Sequence, residues 1–226
     1  MFLMESSPYA YLLVNLFSIS IPFLLTFEKR VHYFKKWKYL FPSIGIMAVV
    51  FISWDALFTK LGVWGFNDDY LLGYRLLGLP LEEWLFFFCI PYSCLFIYEV
   101  LAYFFDKKMW QNFYPYITWI LMIICVLGAV IFHERLYTLV NLSLTAIFLI
   151  YLIKIGQPDY LGRFYIAYLI SFIPFFLVNG ILTGTGIQDQ IVWYNNDENI
   201  GFRLGTIPVE DTIYSLLMLL STTHFF

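Results

Sequence analysis

The chain has 226 residues, of which 61% are hydrophobic and only 13% are charged. Soluble domains carry about 25% charged residues, so this composition excludes an ordinary soluble protein and indicates a polytopic membrane protein. The formal net charge of -3 is too small to suggest a nucleic-acid partner.

A helix that crosses a bilayer needs about 20 consecutive and mostly apolar residues. Seven stretches of the sequence meet this requirement, and they predict an all-α integral membrane protein with seven transmembrane helices. The longest and most polar connections between them are residues 60–79 and 184–206. The predicted helices cover approximately residues 8–27, 39–59, 80–105, 113–132, 136–155, 164–183 and 207–226.

Lysine and arginine are concentrated on one side of the predicted bundle. The connections after the first, third and fifth helices carry nine of them, including Lys107 and Lys108, and the opposite side carries four. Connections rich in Lys and Arg stay in the cytoplasm. We therefore expect an extracytoplasmic N-terminus and a cytoplasmic C-terminus. The expected location is a bacterial plasma membrane, but the charge bias does not identify the host membrane.

An eleven-residue sequence occurs twice, at residues 73–83 and 201–211, and so 128 residues apart. Both copies fit the pattern G-[YF]-R-L-x-x-[LI]-P-[LV]-E-[ED], and the correspondence extends upstream to Asn67 and Asn195. The copies open the third and seventh helices, which cross the membrane in the same direction. This placement predicts a parallel repeat of three helices, one linking helix and three helices, related by an axis along the membrane normal. Its predicted parts are residues 1–110, the link 111–134, and residues 135–226.

Each copy ends in two adjacent carboxylates directly behind a proline. Proline fits the first turn of a helix, and the helix dipole favours a carboxylate there by about 0.3–1 kcal/mol. A purely structural alternative is that these are first-turn acids paired with Arg75 or Arg203. Ionisable residues at membrane depth usually have a function, and neighbours in a helix point about 100° apart, so one carboxylate of each pair should face the bundle axis. The four carboxylates are Glu82, Glu83, Glu210 and Asp211.

Few other polar residues in the apolar stretches invite a functional interpretation. Asp55 lies near the outer end of the second helix, on the same side as both motifs, and its nearest counterpart in the second half is Asn179. Trp64 and Trp193, in the two polar loops, fit either a site or an ordinary interfacial belt. The three histidines have no ligand spacing and the dinucleotide fingerprint is missing, so we expect neither a metal nor a cofactor.

These motifs resemble those of the non-flavin membrane lycopene cyclases. The matching segments are 80–83 and 208–211, each with its upstream Gly-x-Arg, and the resemblance extends over nearly the whole chain. The chain resembles the fused form of the two-subunit bacterial and archaeal type, and also the cyclase half of fungal bifunctional carotenoid enzymes. The resemblance implies an isomerase, a lycopene β-cyclase that converts the linear ψ-ends of lycopene into β-rings without net redox change.

The implied reaction needs a proton donor, a proton acceptor and stabilisation of a carbocation. Paired carboxylates in different surroundings can divide acid and base roles, so we expect the four motif carboxylates to form the acid/base set. Arg75 and Arg203 would orient or pair with them, and Asp55 is a further candidate. Aromatic faces stabilise cations, and Trp84 is one such candidate on the first motif helix. Because a parallel repeat brings both motifs to one depth, we expect one shared cavity that lycopene reaches laterally from the bilayer.

Two other classes of protein fit parts of the sequence. A small proton-coupled transporter would suit the same helix layout, although Pro91 has no proline partner at the equivalent Leu219. A prenyl transferase that holds magnesium diphosphate on Asp68 and Asp69 would need a second aspartate-rich segment, and none has suitable spacing.

Overall fold

The computed structural model describes residues 6–104 and 113–226, which are mostly helical. The end of the third predicted helix at residue 105, Lys107, Lys108 and the boundary at residue 110 lie outside the described residues. The described helices are α1 Ala10–Leu24, α2 Trp37–Leu61, α3 Leu81–Phe104, α4 Tyr114–Ile131, α5 Leu136–Lys154, α6 Tyr160–Leu182 and α7 Glu210–Phe225.

Six of these helices are long and apolar enough to cross a bilayer. They are α1 to α6, with α1 continued by a 3-10 turn to Phe27 and α2 preceded by one that begins at Tyr33. Their positions agree with the first six predicted stretches to within a few residues, so the prediction of a helical integral membrane protein is confirmed. The seventh, α7, has 16 residues and is shorter than an ordinary span.

The long polar loops contain short strands that an all-α prediction leaves out. Each motif copy forms a small hairpin directly before its helix, with Arg75 opposite Pro80 in the first and Arg203 opposite Pro208 in the second. The strand bounds are β1 Trp64–Phe66, β2 Arg75–Leu76, β3 Leu79–Pro80, β4 Val192–Tyr194, β5 Arg203–Leu204 and β6 Ile207–Pro208. The hairpins deliver the carboxylates to the first turns of α3 and α7.

A third strand pair joins the two loops to each other. β1 and β4 are antiparallel, with Gly65 opposite Trp193 at the centre of the pairing. These two residues are 128 positions apart, the same interval that separates the motif copies. A Cβ atom on Gly65 would lie 2.3 Å from the Trp193 ring, so glycine at this position lets the ring pack directly over the strand backbone. The pairing joins the two loops that precede the motif helices.

The main core lies between α2, α3, α5, α6 and α7, where large aromatic and aliphatic side chains are buried. α1 and α4 lie at the periphery, and their exposed surfaces carry aliphatic side chains such as Leu13 on α1 and Val130 on α4. Such surfaces suit contact with lipid, which is as apolar as the side chains. The polar residues of interest are gathered at the end of the bundle where the two hairpins lie.

Candidate active site

The first carboxylate of each pair is fully buried and binds the backbone of its own loop. Glu82 is 0% exposed, and its Oε1 accepts a hydrogen bond of 2.6 Å from the Leu72 amide. Glu210 is 2% exposed, and its Oε1 accepts the equivalent bond of 2.6 Å from the Ile200 amide. In both copies the bonded amide lies ten residues upstream. These two carboxylates therefore hold each loop against the start of its motif helix.

The first turn of each motif helix is also bound by an asparagine from another helix. The Asn15 side chain on α1 donates to the Glu82 carbonyl at 2.8 Å, and Asn141 on α5 donates to the Glu210 carbonyl at 2.8 Å. Both asparagines are fully buried. A carbonyl in the first turn of a helix otherwise accepts only from an amide one turn later, so these contacts fix the helix start against α1 or α5.

The second carboxylate of each pair points in another direction and meets tyrosine hydroxyls. Tyr11 on α1 donates to Glu83 at 2.5 Å, and Tyr137 on α5 donates to Asp211 at 2.6 Å. Asp211 accepts two more bonds, from the Tyr194 hydroxyl at 2.9 Å and the Asn179 amide at 3.1 Å. The two copies thus share one architecture but differ in the number of donors to the second carboxylate.

Burial raises the pKa of Tyr194 well above its ordinary value, and the neighbouring Asp211 carboxylate acts in the same direction. Tyr194 lies in β4, outside the helices; its phenol is protonated at neutral pH even at the ordinary tyrosine pKa of about 10, and the raised pKa extends this to higher pH. Its hydroxyl is therefore a fixed donor to Asp211.

Asp55 is also buried, at 2% exposed, and accepts a hydrogen bond of 2.5 Å from the Trp64 indole. Trp64 is 5% exposed, so it is not an interfacial-belt residue. Trp193, which packs over Gly65, is 41% exposed and fits that role better. The two tryptophans that the sequence placed in similar loops therefore have different environments.

One cavity of about 430 Å³ lies between the two halves of the chain. Glu83 and Asp211 both line it, together with Asp55. The rest of the lining is mainly aliphatic and aromatic, from α1, α3, α6 and α7. Glu82 and Glu210 are not among the lining residues. An apolar cavity with a few convergent polar groups is the usual form of a small-molecule site.

Four aromatic rings stand together beside the carboxylates, and all of them line the cavity. The ring centre of Trp64 lies 5.1 Å from that of Tyr137 and 6.2 Å from those of Tyr194 and Tyr214. Ring faces of this kind attract a cation within about 6 Å. We call Trp64, Tyr137, Tyr194 and Tyr214 the aromatic wall.

The sequence predicts that Arg75 and Arg203 orient or pair with the motif carboxylates, but among the described residues neither forms an ion pair with them. Arg75 forms an ion pair of 2.6 Å with Asp68 and donates to the Gly78 carbonyl. Arg203 donates to the Asn196 side chain at 2.8 Å and to the Thr206 carbonyl at 2.8 Å. A guanidinium with several donors can bridge a loop in this way. Both arginines brace their hairpins.

Trp84 also lies away from the cavity lining, and its indole donates to the Leu76 carbonyl at 3.2 Å. Like the arginines, it stabilises the first hairpin. Among residues 6–104 and 113–226, no group of three or more His, Cys, Asp or Glu side chains is arranged to hold a metal. Asp68 is engaged by Arg75, and the Asp69 amide donates to the Asn67 side chain.

Sequence reasoning missed Tyr11, Asn15, Tyr137 and Asn141, although the signal was present. Residues 11–16 are Tyr-Leu-Leu-Val-Asn-Leu, and residues 137–142 are Tyr-Thr-Leu-Val-Asn-Leu. This second repeat lies in apolar stretches, where tyrosine and asparagine are easily assigned to packing. Tyr194 and Asn179 have no identical counterpart at the matching positions, so only their contacts reveal them.

The lycopene cyclase family model matches residues 8–101 and 134–226, which together make up most of the chain. Among curated proteins no significant match was found, and the same holds among solved structures. The two matched segments each contain one Tyr-x-x-x-Asn sequence and one acidic motif, which contribute Tyr11, Glu83, Tyr137 and Asp211 to the cavity lining. The family's reaction is the cyclisation of lycopene in carotenoid biosynthesis, and no finding supports a transporter. This protein belongs to the lycopene cyclase family.

Proposed function

We propose that the protein is a lycopene β-cyclase, an isomerase that converts ψ-ends into β-rings without net redox change. The observation that carries the proposal is that Glu83 and Asp211, one from each motif copy, line the same apolar cavity beside the aromatic wall. Such a cavity offers a proton donor, a proton acceptor and cation-stabilising rings to a hydrocarbon substrate.

The architecture we propose is a parallel repeat with seven membrane helices, in which α7 is the seventh. Its support is the set of matched contacts in the two halves, such as Asn15 with Glu82 and Asn141 with Glu210. Tyr11 with Glu83 and Tyr137 with Asp211 form a second matched set. We retain residues 1–110, 111–134 and 135–226 as the first repeat, the link and the second repeat.

Glu83 is the proposed general acid. Among the residues that the structure describes, it accepts one hydrogen bond, from Tyr11, and it lines the cavity together with Asp55, another carboxyl group. Two neighbouring carboxyl groups in an apolar cavity disfavour double ionisation, so one of them retains a proton. Glu83 gives this proton to the terminal double bond of the ψ-end. The product of this step is a tertiary carbocation.

Ring closure then needs no proton transfer to or from the protein. The neighbouring alkene attacks the cation, one carbon–carbon bond forms, and the positive charge moves into the new ring. The aromatic wall faces this charge and stabilises it, because the cavity excludes most water and leaves the rings as the nearest electron-rich groups.

Asp211 is the proposed general base. Its carboxylate accepts three hydrogen bonds, from Tyr137, Tyr194 and Asn179, and these donors stabilise its charged form. It takes one proton from the ring carbon, and the ring double bond forms. One proton enters and one leaves, so the product is an isomer, and return of the proton from Asp211 to Glu83 resets the site.

The remaining candidates support the site indirectly. Glu82 and Glu210 hold the loops through the Leu72 and Ile200 amides. The two arginines and Trp84 brace the hairpins from which α3 and α7 begin. We therefore narrow the acid/base set from four carboxylates to Glu83 and Asp211, with Asp55 as the neighbour of the acid.

Expression of the chain alone in a lycopene-accumulating bacterium should yield γ- or β-carotene without any added reductant. The reason is that both acid and base belong to this chain and the reaction has no redox step. Chromatography of the extracted pigments measures the outcome. Unchanged lycopene, with the protein verified in the membrane, would contradict the proposed function.

We propose a plasma-membrane location with the acidic motifs on the extracytoplasmic side, supported by the nine-to-four bias of Lys and Arg. A reporter that works only in the cytoplasm should be active when fused after Phe226. The same reporter should be inactive when inserted at Asn196, which lies in the loop beside β4. The reverse pattern would contradict the orientation and leave the chemistry untouched.

A further inference from the structure

The cavity reaches the lipid-facing surface between α1 and α6. Phe17 and Ile21 on α1 line it and are 67% and 61% exposed. Ile173 and Leu177 on α6 also line it and are 69% and 58% exposed. Residues that both line a cavity and stand on the outer surface mark its opening. We call these four residues the mouth.

A repeat would place a second opening between α2 and α5. In sequence, α2 aligns with α6 at an interval of 124 residues, which pairs Asp55 with Asn179 and Gly62 with Gly186. Gly62 directly follows α2, and Gly186 follows α6 by a few residues. The two glycines have similar φ values, 74° and 77°. This register allows the two sides to be compared residue by residue.

The side chains on the α2 side are larger at three matched positions. Trp54 stands where α6 has Val178, and Phe58 stands where α6 has Leu182. In the loops, with the interval of 128, Trp64 stands where the second half has Val192. We call Trp54, Phe58 and Trp64 the plug.

The plug residues pack on one another and fill this side. The ring centres of Trp54 and Phe58 are 5.7 Å apart, and those of Phe58 and Trp64 are 4.9 Å apart. Each of the three is at most 7% exposed. On α6, Val178 and Leu182 line the cavity, whereas their counterparts Trp54 and Phe58 on α2 do not. The difference in side-chain volume closes one side and leaves the other open.

We infer that this protein has a single cyclisation site with one mouth, that it takes one end of lycopene at a time, and that the monocyclic carotene leaves and returns as a second substrate. This inference rests on the proposed function. The two ends of an extended polyene are separated by its whole length, and a cavity closed behind the aromatic wall holds only one of them. Each cyclisation takes one proton from the protein and returns one proton to it, so no other reactant is needed.

A time course with the purified full chain in lipid vesicles tests the inference, with lycopene in large molar excess over protein. The expected result is that monocyclic carotene accumulates beyond one molecule per protein before the bicyclic product rises. The inference is overturned if bicyclic carotene forms from the start and the monocyclic form never exceeds the amount of protein. Absence of any cyclised product would instead overturn the proposed function.

A matched pair of variants tests the position of the mouth. Leu177→Trp fills it, and Ser53→Trp makes the same change at the matched position on α2, where the side chain is also exposed. Leu177→Trp should slow lycopene consumption several-fold, while Ser53→Trp should leave the rate unchanged. Equal rates in the two variants, or a greater loss in Ser53→Trp, would contradict the assignment. The vesicle time course decides the one-end-at-a-time inference even if Leu177→Trp fails to fold.

Discussion

Glu83→Gln is expected to lose cyclisation activity by a factor on the order of 10²–10⁴, the usual effect of removing a general acid. Glutamine has almost the same shape and retains an oxygen to accept the Tyr11 hydroxyl, so the fold should persist. Only the transferable proton is lost. The measurement is the initial rate of lycopene consumption in membranes that contain equal amounts of the variant and the unaltered protein.

The matched control for this variant is Glu82→Gln, the same change at the adjacent residue. Glu82 does not line the cavity, and a glutamine oxygen can still accept the Leu72 amide. We expect Glu82→Gln to retain most of the activity. A large loss in Glu82→Gln together with normal activity in Glu83→Gln would show that the acid is the first carboxylate of the pair.

Asp211→Asn is expected to have a loss of similar size, on the order of 10²–10⁴, because it removes the base that takes the ring proton. Asparagine also presents an amide to Tyr194 and Asn179, which now both donate to Asp211. This mismatch costs about 1–3 kcal/mol of stability, so thermal unfolding in detergent must accompany the rate measurement. Glu210→Gln is the control, since Glu210 binds the Ile200 amide and lies off the cavity lining.

The same two variants distinguish a shared cavity from one site per repeat. If Glu83 and Asp211 act on one substrate end, either variant stops the first cyclisation. If each repeat served its own end of lycopene, each variant would carry out the first cyclisation at the normal rate and accumulate γ-carotene as a final product. Normal activity in both variants would contradict the catalytic assignment altogether.

The acid and the base have related sequences but different environments, and this is why the sequence could not assign their roles. Both follow a glutamate in the first turn of a helix, and both accept a tyrosine hydroxyl. The difference comes from elsewhere: Tyr194 and Asn179 approach Asp211, whereas Phe66 and Asp55 occupy the matched positions for Glu83. These neighbouring residues lie on other helices and loops, so only the packed structure shows that they are close to the carboxylates.

The arginines illustrate a second limit of sequence reasoning. Arg75 lies seven residues before Glu82 and has the opposite charge, which suggests an ion pair. The hairpin between them turns the arginine towards Asp68 and the Gly78 carbonyl. The Glu82 carboxylate instead accepts a hydrogen bond from the Leu72 amide of its own loop. The two-residue turn between β2 and β3 therefore determines which groups Arg75 contacts.

The sequence alone determined the membrane class, six of the helices, the two acidic motifs and the family resemblance. These follow from hydropathy and from a repeated pattern, both of which are local properties of the chain. The tertiary structure decided which carboxylate of each pair faces the cavity, which rings stand beside it, and which side of the bundle is open. These depend on side chains from α1, α2, α5 and α6 that are distant in sequence and meet only when the helices pack.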